Sequence, residues 1–356
     1  MKTVFDKISV GTLTLKNRMV RSATFEVGAA ENGKMTPLLS EIYAELADNE
    51  VGLIITGMLG AGRNSRAFPG MINTNDDTFI SSFAQTASVV HDKGGKIVAQ
   101  LAHCGVKAGV IDTGVAPYGP SEFEISPGHF SKEMSQEEIE QIVQDFGIAA
   151  KRCEQVEADG VEIHAAHGYL ISQFLSPYYN KRTDKYGGSV ENRAKLLLDI
   201  LDSIRQNTGK GFPVLVKING EDLIKNGFSK EDCLTVCKLL AEQGVDAIEI
   251  SSGLAIDQTS VPFQKPADDG KGAFTDTAVM IASQVSIPNI SVGGYRTIEG
   301  IESVLNSSDI TAISMSRPFI CEPDLVKRWQ SGDTRPAKCI SCNGCFGESF
   351  SCVLHN

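Results

Sequence analysis

Short runs of apolar, often β-branched residues recur along the chain, and each is followed by a stretch whose apolar positions return at helical spacing. The runs are 19–24 (MVRSAT), 51–56 (VGLIIT), 96–101 (KIVAQL), 159–163 (DGVEI), 213–218 (PVLVKI), 245–250 (VDAIEI), 288–292 (PNISV) and 310–314 (ITAIS). Near-continuous apolar runs of this length suit strands buried on both faces. Helical patterns lie near 38–48, 78–92, 135–156, 190–208, 230–242, 275–285, 297–305 and 322–330. Eight alternating units predict a closed (β/α)8 TIM barrel. An open doubly wound sheet would read similarly, but no run leads through G-x-G-x-x-G into a helix.

Ahead of the first run, Ile8–Val10 and Thr12–Leu15 flank Gly11 and predict a hairpin placed to plug the barrel's bottom. The expected fold is therefore α/β, a (β/α)8 TIM barrel with an N-terminal β-hairpin and a short C-terminal Cys-rich tail. No linker divides residues 1–335, so the barrel is assigned to 1–335 and the tail to 336–356. Long loops at 102–134 and 164–189 follow the third and fourth strands. Both fall on the C-terminal face, where barrel active sites form.

Composition narrows the class. The chain has 356 residues, 42% hydrophobic and 22% charged, with a net charge of −11. An acidic balance without clustered Lys and Arg excludes a nucleic-acid partner. No apolar run approaches the roughly 20 residues of a membrane span, and Lys2, Asp6, Lys7, Lys16 and Arg18 make the start unlike a signal peptide. A cytoplasmic protein without membrane contact is expected. The nine cysteines are an odd count, which in that compartment argues against a disulfide framework.

In a barrel, residues just past the strand ends converge on one mouth. Gly293 and Gly294 follow the seventh strand, and Ser316 and Arg317 the eighth, the two loops that commonly hold phosphate in this fold. Gln100, at the end of the third strand, suits the pyrimidine edge of a flavin. Lys217 on the fifth would stabilise the charge a reduced flavin carries at N1–O2. Each also has a plain reading, Gln100 as interior filling and Lys217 as a surface-seeking cation. The fourth strand leads into His164, His167 and Tyr169. Two imidazoles three residues apart can donate N–H groups to one substrate oxygen, and Tyr169 can deliver a proton. Alternatively they are two loop histidines bonded to their surroundings. Zinc would need a third ligand, and none recurs at suitable spacing.

Several stretches resemble the Old Yellow Enzyme family of FMN-dependent oxidoreductases, nearest its 2,4-dienoyl-CoA reductase and trimethylamine dehydrogenase branch. They are Lys16–Thr24, Gln100–His103, the long segment His164–Pro177, Asn180–Ser189 with Glu191–Arg193, and Ser316–Pro318. The resemblance spans residues 5–335. It implies FMN across the barrel mouth, with Gln100 at its pyrimidine, Lys217 at N1–O2, and Gly293, Gly294, Ser316 and Arg317 at its phosphate. Ser22, Ala23, Thr24, Phe25 and Gly57 would line the ring. His164 and His167 would hold a substrate carbonyl, His164 also lying against the flavin, and Tyr169 would donate the proton. The implied reaction is ping-pong hydride transfer from NAD(P)H to a small-molecule enone or enoate. Amine dehydrogenation and a non-catalytic flavin or metal sensor are the alternatives. Phe25 stands where many relatives have Thr or Cys, and Lys217 where Arg is commoner.

The tail carries Cys339, Cys342, Cys345 and Cys352 at C-x2-C-x2-C-x6-C spacing. Four thiols within reach of one centre suggest metal, either a [4Fe–4S] cluster as in the dienoyl-CoA reductase branch or zinc, though the last gap is shorter than in those relatives. A cluster would call for an external electron donor. A homo-oligomer is compatible with the sequence. Cys153, Cys233, Cys237 and Cys321 read as packing residues, and Cys104, beside His103 at the mouth, either as another packing thiol or as one that reaches substrate.

Overall fold

The structure, a computed structural model of the chain, describes residues 1–76, 78–108, 116–209, 211–254, 272–346 and 351–355. Residues 109–115 of the loop after the third barrel strand and 347–350 of the tail lie outside them. The hairpin forms as expected, with β1 (Ile8–Val10) antiparallel to β2 (Leu13–Leu15). Gly11 turns between them at φ +56°, where a side chain would also strike Asp246.

In chain order follow β3 (Met19–Arg21), β4 (Leu53–Gly60), β5 (Ile72–Asn73), β6 (Ile97–Ala102), β7 (Tyr118–Gly119), β8 (Phe123–Ser126) and β9 (His129–Glu133). Then come β10 (Gly160–Ala165), β11 (Val214–Asn219), β12 (Ala247–Ser251), β13 (Asn289–Val292) and β14 (Ala312–Met315). Strands β3, β4, β6 and β10 to β14 are parallel neighbours, and β3 pairs with both β14 and β4, which closes an eight-stranded barrel. The outer ring includes α1 (Pro37–Asp48), α2 (Thr78–Asp92), α3 (Gln136–Gln155), α4 (Leu170–Leu175) and α5 (Val190–Thr208). It continues with α6 (Lys230–Glu242), α7 (Thr275–Ala282), α8 (Ile298–Ser307), α9 (Arg317–Cys321) and α10 (Leu325–Gln330). Capping boxes at Ser135 with Glu138 and at Ser229 with Asp232 start α3 and α6 by satisfying exposed amide donors.

Two strands differ in length from the sequence expectation by two residues or more. The first ends at Arg21, because residues 22–25 leave the sheet to line the mouth. The second runs on to Gly60, with an irregularity between Ile55 and Met58 that re-aims it. The long loop after β6 contains the small sheet β7–β9–β8.

The barrel interior is layered. Val20, Leu53, Val98, Leu215, Ala247 and Ala312 pack with Val10, Leu13 and Leu15 of the hairpin into an apolar floor. Two residues further along the strands, the inward positions become Ser22, Gln100, Glu162, Lys217, Glu249 and Ser314, all buried. The mouth lies directly above this polar layer.

Candidate active site

The mouth opens on a cavity of about 220 Å³ lined by Ser22, Ala23, Thr24, Phe25, His167, Tyr169, Lys217, Gly293, Gly294, Ser316 and Arg317, among others. A smaller hollow of about 120 Å³ shares Ala23, Thr24, Phe25, His167, Tyr169 and Lys217 with it and adds Met58, Gln100 and His164. Every residue the sequence assigned to the site except Gly57 thus lines one trough. Gly57 is buried behind it, where a Cβ would meet the Glu26 carboxylate and the Thr24 carbonyl, so it shapes the wall rather than forming its surface.

One end of the trough is a cradle for an anion. Gly293 and Gly294 adopt φ +101° and +88°, and a Cβ on Gly293 would press on the Phe274 ring at 3.0 Å. Arg317 and Arg296 stand beside them, and Ser316 Oγ is 2.7 Å from Thr24 Oγ1. Bare backbone and two guanidiniums fit a phosphate. Arg296 escaped the sequence reading. Its signal was its place two residues past the glycine pair.

Towards the other end, Gln100 Nε2 donates to Glu162 Oε2 at 2.6 Å. Lys217 Nζ donates to Ser22 Oγ at 2.7 Å and pairs with Glu249 Oε2 at 3.1 Å. Lys217 is 3% exposed, so it is a buried cation and not a surface-seeking one. Glu162 and Glu249 also escaped the sequence reading, because each is a lone acid within an apolar strand whose role comes from its cross-strand neighbour, Gln100 or Lys217.

The histidine pair sits between these ends. The rings of His164 and His167 are 5.2 Å apart centre to centre, and Tyr169 lies 5.1 Å from His164. His167 is held at φ +61°, with its amide donating to Asn219 Oδ1 at 3.1 Å and its Nε2 2.8 Å from Ser251 Oγ. Lys107 Nζ donates to its carbonyl at 2.8 Å. Burial, then the positive charge of Lys217 and Lys107, pushes the pKa of His164 well below the usual histidine range. Burial, then His164 and the same two lysines, does so for His167. Both imidazoles are therefore neutral, each with one N–H to give. His164 Nδ1 is buried without a hydrogen-bond partner, which leaves a polar atom for a ligand to satisfy. Burial raises the Tyr169 phenol above its ordinary pKa, so it keeps its proton at neutral pH. Cys104 is not among the residues lining the trough: it is buried with Sγ 3.9 Å from Met71 Sδ, and burial pushes its thiol up to about 12.

The metal expectation for Cys339, Cys342, Cys345 and Cys352 finds no support: among the described residues no three His, Cys, Asp or Glu side chains are placed to hold a metal. Cys342 is exposed, Cys339 Sγ faces Arg296 Nη2 at 3.7 Å, and Cys352 associates with Cys321.

Barrel, glycine turns and polar mouth together define a (β/α)8 protein with a trough whose lining suits an anionic group at one end and carries two neutral histidines. The profile of the NADH:flavin oxidoreductase / NADH oxidase family matches residues 3–335, and the chain belongs to that family of NAD(P)H:flavin oxidoreductases. It is 35% identical to a metal reductase of Desulforamulus reducens over its whole length and 54% of the relative's. It is 34% identical to an NADPH dehydrogenase of Bacillus subtilis, covering 90% of this chain and 92% of that one. The fold superposes on 2-naphthoyl-CoA reductase with 2-naphthoyl-CoA at a TM-score of 0.89 and 26% identity, covering 98% of this chain and 55% of that one. Against the Old Yellow Enzyme homologue of Zymomonas mobilis the TM-score is 0.83 at 27% identity, covering 98% and 96%. The chain spans about half the length of the metal reductase and of a similarly related NADH oxidase from Thermoanaerobacter brockii, which is 33% identical over 97% of this chain. Among the described residues no helix is long and apolar enough to cross a membrane.

Proposed function

We propose that the chain is an ene-reductase, moving hydride from NAD(P)H to a carbon–carbon double bond conjugated to a carbonyl or nitro group. Bound FMN supplies the carrier that accepts hydride from one substrate and passes it to the next. The observation that carries the reading is the buried, unpartnered His164 Nδ1 beside His167 and Tyr169 in one trough.

In this reading Gly293, Gly294, Ser316 and Arg317 hold the cofactor phosphate, Gln100 its pyrimidine and Lys217 its N1–O2 edge. Residues Ser22 to Phe25 lie along the ring. His164, as its Nδ1–H tautomer, donates to the substrate oxygen. When Ser251 Oγ donates to His167 Nε2, His167 presents Nδ1–H as a second donor. Two neutral donors in a dry site draw charge onto that oxygen as the β-carbon accepts hydride. Tyr169 gives its phenolic proton to the α-carbon and regains one from solvent. An alkylammonium substrate would instead want a cage of aromatic faces, which the donor pair does not provide.

The FMN-loaded protein is expected to oxidise NAD(P)H slowly alone and rapidly when a 2-enone is added, and equal rates in both cases refute the reading. Tyr169→Phe is expected to slow the enone half-reaction by about 100-fold while NAD(P)H still reduces the flavin within about twofold of the wild-type rate. Stopped-flow absorbance separates the two steps, and equal loss in both removes Tyr169 from the proton-donor role.

A further inference from the structure

The polar layer under the trough contains two carboxylates for one cation, and the chemistry above uses neither acid. Glu162 lies on β10 in register with Gln100 on β6, and Glu249 lies on β12 in register with Lys217 on β11. All four side chains point into the barrel and are 3% exposed or less. We propose that Glu162 is a positioning residue that orients Gln100, and that Glu249 orients Lys217 and, through its charge, sets the reduction potential of the flavin those two residues hold. The inference rests on the cofactor placement given under the proposed function.

The geometric argument begins with Gln100. Its nitrogen is spent on Glu162 Oε2 at 2.6 Å, which fixes the flip of the amide and leaves the carbonyl oxygen on the opposite side. Gln100 lines the trough, so the group presented there is an acceptor, matched to an imide N–H. Lys217 is likewise held, by Glu249 Oε2 at 3.1 Å and Ser22 Oγ at 2.7 Å. Ser314 Oγ donates to the other Glu249 oxygen.

Charge follows from the same contacts. Burial, then the neighbouring Glu249, raises the pKa of Glu162 well above the carboxylate range. Burial opposes ionisation of Glu249 too, but Lys217, followed by Ser314 and Ser22, leaves its pKa below the usual value. The layer therefore holds one proton on Glu162, one negative charge on Glu249 and one positive charge on Lys217. Glu162 Oε1 has no hydrogen-bond partner beyond this pair, which is the expected place for that proton. A flavin that gains negative charge on reduction meets a layer that is neutral overall. The acid paired with Lys217 weakens the cation's pull on that charge.

Spectroelectrochemical titration of the FMN-loaded protein tests this directly. Glu249→Gln leaves Lys217 uncompensated and is expected to favour the reduced flavin at least tenfold, a positive shift of about 30 mV for a two-electron couple. Glu162→Gln, isosteric with the protonated acid, is expected to leave the equilibrium within about twofold and FMN bound. Ser314→Ala removes a donor that screens Glu249 without removing its charge, so the acid opposes Lys217 more strongly and the equilibrium is expected to shift about two- to threefold in the opposite direction, towards the oxidised flavin. It keeps the test open if Glu249→Gln does not fold. A shift for Glu162→Gln as large as that for Glu249→Gln overturns the charge assignment. Flavin bound with an unchanged potential in both Glu249→Gln and Ser314→Ala overturns the inference while sparing the cofactor reading. Failure of the wild-type chain to quench FMN fluorescence on titration overturns the cofactor reading itself.

Discussion

His103 shows how a single side chain beneath the mouth ties stability to pH. The Gly105 amide donates to its Nδ1 at 3.0 Å, so Nε2 carries the proton and faces the Arg63 carbonyl at 2.9 Å. Burial disfavours the charged ring and, against the opposing pull of the Arg63 carbonyl, lowers the His103 pKa from 6.5 to about 4; a second proton on Nδ1 would also face the Gly105 N–H. The unfolded chain thus binds the proton first. Stability from His103 is full above pH 6.5, falls as pH drops below it, and levels off near pH 4, a loss on the order of 3 kcal/mol. His103→Gln removes this titration, so its destabilisation relative to wild type is expected to be largest at pH 7 and to narrow towards pH 4 in denaturant unfolding curves. A constant difference across that range contradicts the assignment. At this scale the sequence made His164, His167, Tyr169, Gln100 and Lys217 visible, because they cluster at strand ends. It did not reveal Glu162, Glu249 or Arg296, since their significance comes from neighbours on other strands.

Among elements, the hairpin and the barrel divide the work of folding and of chemistry. Leu15 on β2 is fully buried in the apolar floor, two layers below the trough. Leu15→Ala leaves a cavity that the closed barrel cannot collapse, and is expected to cost about 2–5 kcal/mol of stability. FMN affinity is expected to stay within about twofold, because the polar layer separates the floor from the mouth. Fluorescence titration beside a denaturation midpoint checks both parts, and a larger loss of affinity would mean the layers are coupled. The hairpin and all eight barrel strands were legible from periodicity, which is strong where both faces are buried. The small sheet β7–β9–β8 was not. Its strands are short and mostly exposed, so Phe123 to Ser126 and His129 to Glu133 carry too little pattern to stand out from a loop.

For the molecule as a whole, the tail packs against the two arginines at one end of the trough. Arg296 donates from Nε to the Cys339 carbonyl at 3.0 Å and from Nη2 to Ser341 Oγ, and its own carbonyl accepts from the Ala337 amide at 2.8 Å. Arg317 Nη1 donates to Asn343 Oδ1 at 2.7 Å. Residues 336–343 therefore hold the two guanidiniums that flank the glycine cradle, although spacing alone had pointed to metal. An arginine fixed before the ligand arrives loses less side-chain entropy on binding, by about 0.5–1.5 kcal/mol for each immobilised side chain. Asn343→Ala removes one of the hydrogen bonds that orient the Arg317 guanidinium and is expected to weaken FMN binding about threefold to tenfold. Riboflavin has the same ring and no phosphate, so its affinity is expected to change less than twofold. Parallel fluorescence titrations with the two ligands decide the matter. An equal loss for both would move the tail's influence from the phosphate end to the ring, and no loss for either would leave Arg317 oriented by the barrel alone.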